Sequence, residues 1–252
     1  TLFPDTYDDG SFGPELIVIV SGNHEHYQTQ ETIDEGHMHI KKAVDAFNAI
    51  SQQRIVFLDE NVEIINHKGI DIRFIGGTLW TDFNLYGNQL KDAKIVASAL
   101  NDYRLIIGQK DQSPSYFGQP RLTTEEVLQR FKKTYRVIEQ AVSEKFDGPT
   151  IVVTHHLPSM RAVCSYYKRD KITAGFASDI EELLNENVTL WCCGHTHSSS
   201  VNRFDSGSLL VCNPGGYMKI NFGRENKEFN PKLLIDIRKG APDNKWKAGV
   251  IS

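Results

Sequence analysis

Three histidine-containing motifs constrain this chain more than any other feature of its sequence, because each follows a short apolar run. The runs at 16–20, 150–154 and 188–193 have the length and composition of buried strands. The motifs read GNHEHY at 22–27, THHLPS at 154–159 and GHTH at 194–197. Open α/β sheets hold their ligand sites at the carboxyl ends of strands. The sequence therefore predicts histidines gathered at one edge of a sheet.

The remaining sequence alternates between helical and extended patterns, which is typical of the mixed α/β class. Helical spacing predicts helices at 30–50, 88–100, 123–145 and 178–186. Extended patterns predict a meander of strands over 55–58, 62–65 and 71–77. The C-terminal part is expected to be β-rich, with strands at 199–204, 208–212 and 232–237. A loop rich in Gly, Pro and Ser is expected at 108–120.

The overall composition narrows the function classes. A chain of 252 residues suits a single domain over 1–252 better than two full domains. The formal net charge of −4 makes nucleic acid an unlikely partner, because nucleic-acid binders usually present a basic face. No membrane partner is expected, since the sequence has no apolar run long enough to span a bilayer and no secretory signal pattern. The four cysteines suit free thiols, which predicts a cytoplasmic location.

The residue types in the three motifs favour metal binding. Imidazole is the commonest metal-binding side chain at neutral pH, and the two histidines of GHTH can aim both rings at one small volume. Glycine at the start of the first and third motifs allows the backbone to turn sharply where each strand ends. A single histidine at a strand end is commonly structural, but three such motifs in order indicate a metal site.

The ordered set of GNHE, a histidine after a strand, and GHxH resembles the calcineurin-like metallophosphoesterases. Neighbouring segments resemble one bacterial-type branch of that family, namely GGTLWTDFNLYG at 76–87, NDYRLI at 101–106, FASDIEELL at 176–184 and CNPGGY at 212–217. The resemblance implies a four-layer α/β/β/α sandwich with two divalent metal ions between its sheets. It further implies hydrolysis of a phosphomonoester or phosphodiester in a small phosphorylated substrate, with Mn, Fe or Zn as the metal.

The resemblance also assigns metal ligands. Asn23, His155 and His195 are expected to bind the second metal, and His197 is expected to bind the first metal. His156 stays open as an alternative to His155, because both follow the same predicted strand.

Three further residues are candidates for catalysis and substrate binding. The resemblance places His24 beside the leaving oxygen, as an electrostatic or acid group. Asp102 and Arg104 of NDYRLI could reach the site, where Arg104 could hold a phosphate oxygen or a substrate carboxylate; a surface ion pair is the alternative.

The family's carboxylate ligands are missing from the sequence. Members of the family begin with Asp-x-His on one strand and Gly-Asp-x-x-Asp on the next, and neither motif occurs here. Three explanations stay open. The sandwich is incomplete because its N-terminal strands lie outside this sequence; the chain is an inactive family member that acts as a binding or regulatory module; or Asp5, Asp8 or Asp9 replaces the missing ligands.

Several other residues near the motifs receive no clear role. Tyr217 is expected either to shape a turn or to form the far wall of the site. His37 and His39 lie two positions apart in a predicted helix and face different directions, so both are left out of the site together with His67. His26 is unassigned.

Overall fold

The computed structural model describes residues 14–109, 115–116, 118–219, 223–240 and 245–251. Its strands, numbered along the chain, are β1 (Leu16–Ile19), β2 (Arg54–Phe57), β3 (Asn61–His67), β4 (Ile70–Gly77), β5 (Ser115–Tyr116), β6 (Gln119–Pro120), β7 (Thr150–Thr154), β8 (Leu190–Cys193), β9 (Ser200–Arg203), β10 (Leu209–Cys212), β11 (Met218–Lys219), β12 (Gly223–Arg224), β13 (Leu234–Gly240) and β14 (Lys245–Ile251). Its α-helices are α1 (Ile33–Ile50), α2 (Gln89–Ala99), α3 (Asp102–Leu105) and α4 (Thr124–Ser143).

A six-stranded sheet forms the centre, in the order β3-β4-β7-β8-β10-β9. Its four inner strands run parallel, whereas the edge strands β3 and β9 are antiparallel to their neighbours. Because β7 ends at Thr154 and β8 ends at Cys193, the second and third histidine motifs emerge from adjacent parallel strands at the same edge. The topology therefore brings these two motifs together.

Helix α4 covers one face of the central sheet. Thr123 caps its first turn by accepting a hydrogen bond from the backbone N–H of Glu126. Val127, Phe131 and Val142 lie on its buried side, within a core that also contains side chains of α2, β4, β7 and β8. This apolar stripe at helical spacing fixes the helix on the sheet.

Two separate strand pairs cover the opposite face of the central sheet. The parallel pair β1–β2 packs through Val56, and the antiparallel pair β13–β14 packs through Ala248. Ile151 of β7 contacts both clusters, so the pairs lie side by side on that face. Within the described ranges, no backbone pairing joins one pair to the other.

The layers confirm the predicted mixed α/β architecture. Helix α1 packs against β2, and its first turn is closed by a reciprocal capping box between Thr32 and Glu35. The order of layers is therefore α1, the two strand pairs, the central sheet, and the helices α2 and α4. This is the four-layer α/β/β/α arrangement expected from the motifs.

The helix predicted over 178–186 is wrong, since only a short 3₁₀ turn forms there, at Glu181–Leu183. The backbone N–H of Ser178 donates to the carbonyl of Leu157, and the N–H of Ile180 donates to that of Pro158. These bonds hold the chain against the segment after β7, and Ile180 has φ −128° and ψ 37°, outside the helical region. The local helical pattern therefore yields to pairing with a distant part of the chain.

The predicted meander over 55–77 is half correct. β3 and β4 form an antiparallel hairpin, but β2 pairs in parallel with β1 in the other layer. The expected loop at 108–120 contains the short pair β5–β6, and part of it falls outside the described residues. Asp5, Asp8 and Asp9 also lie outside the described residues.

Two predictions from composition can be compared with the structure. All four cysteines are free thiols, as expected. In the described part of the chain, no helix combines the length and apolar character that a membrane crossing requires.

Candidate metal centre

Three predicted ligands converge at the carboxyl edge of the sheets. The Nε2 atom of His155 lies 3.0 Å from Oδ1 of Asn23 and 2.9 Å from Nδ1 of His195. Two imidazole nitrogens and one amide oxygen therefore point at the same small volume. Nitrogen and oxygen atoms with available lone pairs are suitable ligands for Mn, Fe or Zn, so the donor set fits a divalent cation.

Close packing between the first and second motifs depends on Gly22. A Cβ atom at this position would lie 2.6 Å from the Cε1 and Nδ1 atoms of His155. Only a residue without a side chain leaves room for the ring, so glycine sets the distance between Asn23 and His155. Gly22, which was expected to allow a sharp turn, thus also permits the close approach of the predicted metal-binding ring of His155.

The third motif has an unusual backbone. His195 and His197 both adopt left-handed conformations, with φ angles of 63° and 51°. Such angles are uncommon in residues other than glycine and concentrate at functional sites. The tight turn after Gly194 brings His195 to His155 and places His197 beside Glu225 and Tyr217.

Asp102 fixes the orientation of Asn23. The side-chain N–H of Asn23 donates to Oδ1 of Asp102 across 2.7 Å, so the amide oxygen must face His155. The hydroxyl of Tyr27 donates to the same carboxylate oxygen. Burial and the Asp102 carboxylate raise the pKa of Tyr27, which keeps its hydroxyl protonated and able to donate.

The two converging histidines are electrically neutral at physiological pH. Burial lowers the pKa of His155 well below its usual value, and neighbouring histidines lower it further. Burial and the same kind of charge repulsion also lower the pKa of His195. Neutral imidazole is the form that binds metals. The Nε2 atom of His195 is buried and has no hydrogen-bond partner among the described residues.

His156 points elsewhere. Its Nδ1 atom lies 3.2 Å from the carbonyl oxygen of Thr78, and the side chain is almost fully buried beside Trp80. Burial lowers the pKa of His156 to about 4. Of the two alternatives left open by the sequence, His155 is the one that contacts both Asn23 and His195.

His197 and His24 both line the cavity and are connected through Tyr217. Nδ1 of His197 is 2.9 Å from Oε2 of Glu225. The ring of Tyr217 packs edge-on against His197, with 4.6 Å between centroids, and its hydroxyl is 2.9 Å from Nε2 of His24. The His24 ring also stacks on Tyr27, at 4.2 Å. Tyr217 therefore forms a wall of the site.

These groups line one cavity of about 540 Å³. Its lining includes Asp102 and all five of the predicted metal and acid residues: Asn23, His24, His155, His195 and His197. Arg104 is not part of this lining. Its guanidinium group is exposed and donates to Oδ1 of Asn101 across 2.6 Å. The structure thus separates Asp102 from Arg104.

Sequence reasoning missed two residues of the site. Glu225 contacts His197 from the far side of a short hairpin that follows the CNPGGY segment, and no motif marks Glu225 itself. Tyr27 is the last residue of GNHEHY, and its position beside a predicted ligand was the only available signal. Within the described ranges, no cluster of three or more His, Cys, Asp or Glu side chains has the geometry of a metal site. The convergence found here depends on the amide of Asn23.

A polar network behind the site involves a histidine that the sequence analysis excluded. Nδ1 of His37 is 2.7 Å from Oδ1 of Asp59, and Nε2 is 2.7 Å from Oγ of Ser21. Oγ of Ser21 lies 2.9 Å from Oγ1 of Thr78. Helix α1 is thereby connected to the start of the first motif, although His37 does not line the cavity.

Comparisons with known proteins agree with the fold and the motifs. The calcineurin-like phosphoesterase family model matches residues 9–199, a range that contains all three histidine motifs. An uncharacterized protein, L509, of Acanthamoeba polyphaga mimivirus is 25% identical over 242 residues, covering 91% of this chain and 76% of the relative. The structure of phosphopantetheinyl hydrolase from Mycobacterium tuberculosis superposes with a TM-score of 0.54 and 14% identity, over 79% of this chain and 69% of that one. That likeness shows a shared fold.

The match across most of the sequence, together with the histidines it contains, establishes that this chain belongs to the calcineurin-like phosphoesterase family.

Proposed function

We propose that this chain hydrolyses phosphoric esters of a small substrate with the help of two divalent metal ions. The observation that carries this proposal is the convergence of Asn23 Oδ1 and His195 Nδ1 on His155 Nε2, from which they lie 3.0 Å and 2.9 Å away. Membership of a phosphoesterase family is the second support.

The donor set suggests how the ions are held. Asn23, His155 and His195 would bind one ion, and His197, which lines the same cavity, would contribute to the other. Nitrogen-rich ligands favour Zn or Fe, and the amide oxygen is also compatible with Mn. Such ions supply an activated water and neutralise charge on the transferred phosphoryl group.

His24 is the proposed acid for the leaving oxygen. It is exposed within the cavity, and its ring is held between the stacked Tyr27 and the hydroxyl of Tyr217. These contacts fix the plane of the His24 ring and leave one edge of the ring accessible. Proton delivery by a positioned side chain typically contributes about 10²–10⁴-fold in rate.

The cavity walls favour a small substrate. A volume of about 540 Å³ is within the range of small-molecule sites. Its lining includes the apolar side chains of Tyr167, Phe176, Ile172 and Leu100, and the described lining includes no Lys or Arg. Recognition of the phosphate therefore depends on the bound cations, and recognition of the organic part depends on apolar contact.

The alternative function is a catalytically inactive binding or regulatory module. The scarcity of carboxylates favours it, because among the described residues the carboxylates nearest the ligands, Asp102 and Glu225, contact Asn23 and His197 as hydrogen-bond acceptors. A site of neutral ligands leaves the charge of two cations poorly balanced. Metal binding without turnover would support this alternative.

The test measures metal and turnover on the same preparations. The wild-type chain and the His195→Ala variant are dialysed against Mn²⁺ or Zn²⁺, and bound metal is counted by elemental analysis. Hydrolysis of p-nitrophenyl phosphate and of its bis-ester is then measured. His39→Ala is the matched control, because His39 is exposed on α1 and contacts only Glu31 among the described hydrogen bonds.

We expect metal binding and hydrolysis in the wild type and in the control, and loss of both in His195→Ala. Equal metal content in wild type and His195→Ala would reject the assignment of the centre. Full metal content without hydrolysis of either ester would instead support the inactive module.

A further inference from the structure

Glu225 lies at the base of a hairpin that closes over His197. The short strands β11 and β12 pair antiparallel, and Tyr217 and Glu225 flank them. The backbone N–H of Glu225 donates to the carbonyl of Tyr217 across 2.8 Å, and the N–H of Tyr217 donates to Oε2 of Glu225 across 3.2 Å. The carboxylate is therefore held by the hairpin that carries it.

Gly216 allows this hairpin to approach the third motif. Its φ angle is +65°, and a Cβ atom there would lie 3.3 Å from the Cβ atoms of both Glu225 and His197. On the other side, the Asn226 side chain donates to the carbonyl of Pro214 across 2.7 Å. Chain packing on both sides of Glu225 thus fixes where its carboxylate can lie.

The contact with His197 determines which ring nitrogen faces the cavity. An ionised carboxylate only accepts hydrogen bonds, so Nδ1 of His197, 2.9 Å from Oε2, must carry a proton. In the neutral ring, the lone pair is then on Nε2. Histidines that bind metals almost always donate their other N–H to a carboxylate, a carbonyl or water, which orients the ring and raises its basicity.

We infer that Glu225 is a positioning residue for the metal centre, acting through His197. It holds the His197 ring with Nε2 directed to the cavity and places a negative charge beside an otherwise carboxylate-poor site. The inference rests on the proposed function. It is independent of the family match, because Glu225 lies beyond residues 9–199.

The test is a titration of metal affinity on four forms of the full chain. Mn²⁺ or Zn²⁺ is titrated calorimetrically into wild type, Glu225→Gln, His197→Ala and the double variant. Gln has nearly the same shape as Glu but no charge. Glu228→Gln is the matched control, since Glu228 is on the same segment and its side chain is exposed. Thermal unfolding without metal checks that each variant is folded.

We expect Glu225→Gln to weaken one binding step by about 10–100-fold, with Glu228→Gln unchanged. In the His197→Ala background, Glu225→Gln should have no further effect, because Glu225 acts through that ring. A purely structural role would predict equal losses in both backgrounds.

Two further results would overturn the inference, and the metal content of the wild type distinguishes them. If wild type binds metal and Glu225→Gln binds it equally well, the role of Glu225 is rejected while the proposed function stands. If wild type binds no metal at all, both the proposed function and this inference are rejected.

Discussion

The side-chain amide of Asn23 donates to Asp102 across 2.7 Å, and this contact, together with a longer one of 3.3 Å to the Tyr27 hydroxyl, sets which amide atom faces His155. The two residues are 79 positions apart in the chain, and both are buried. Asp102 therefore affects the site through the ligand that it orients.

Replacing Asp102 by Leu should weaken metal binding. Without the carboxylate, the amide of Asn23 is free to rotate, and its oxygen no longer has a fixed direction. Loss of such an orienting partner typically lowers metal affinity by about 10–100-fold. Calorimetric titration with Zn²⁺ measures the effect. Asp179→Asn, an exposed carboxylate on a nearby loop, is the control, and unchanged affinity in Asp102→Leu would remove Asp102 from the site.

Replacing His24 by Ala should reduce turnover while metal is retained. His24 lines the cavity but does not contact Asn23, His155 or His195 through a hydrogen bond in the described structure. Loss of a positioned acid typically lowers kcat by about 10²–10⁴-fold. Elemental analysis and steady-state kinetics on p-nitrophenyl phosphate test both parts. A variant with the wild-type kcat would exclude His24 from proton transfer.

Replacing Gly22 by Ala should displace His155. The added methyl group would lie 2.6 Å from two atoms of the ring. We expect metal affinity to fall by about tenfold or more, as when ligand orientation is disturbed. Gly249→Ala is the control, because a Cβ atom there meets nothing within 4 Å. Equal affinity in the two variants would show that the His155 ring relocates without loss.

His26 should make the fold sensitive to acid. Burial, reinforced by the charge of His37, lowers the pKa of His26 to about 3. Between pH 6.5 and that value, the unfolded chain binds a proton at this residue and the folded chain does not. The free energy of unfolding therefore falls as the pH is lowered, by at most about 1.4 kcal/mol per pH unit from this group.

Urea denaturation at pH 7, 6 and 5 measures this dependence. The His26→Phe variant keeps a ring in the buried position but cannot titrate, so its stability should decline less steeply than that of wild type. His67→Phe changes an exposed histidine on β3 and should keep the wild-type slope. Identical slopes in wild type and His26→Phe would contradict the prediction.

The sequence predicted the central strands and the motifs after them because apolar runs and histidine spacing are local signals. TIVVT and VTLWCC need no distant information to be recognised as buried strands. Their parallel alignment then follows from the α/β pattern, and with it the meeting of the second and third motifs. The four-layer architecture was also predictable, but from the family resemblance.

The parts that were missed depend on distant contacts. The helical pattern over 178–186 was overridden when Ser178 and Ile180 paired with the segment after β7. Glu225 reaches His197 across 28 positions through a hairpin whose strands have two residues each. Such a hairpin has no periodicity to detect. Nor could the sequence show that Asp102 faces Asn23 while Arg104 faces solvent.

The two strand pairs that share Ile151 have a consequence for local opening of the fold. Within the described residues, each strand of these two pairs forms ladder hydrogen bonds with one neighbouring strand, its partner in the pair. Each pair contacts the central sheet only through side chains. Amide protons in β1–β2 and β13–β14 should therefore exchange with solvent faster than those in β7 and β8, which are paired on both sides. Since β1 ends four residues before Asn23, a transient opening of its pair would disturb the proposed metal centre before the rest of the molecule unfolds.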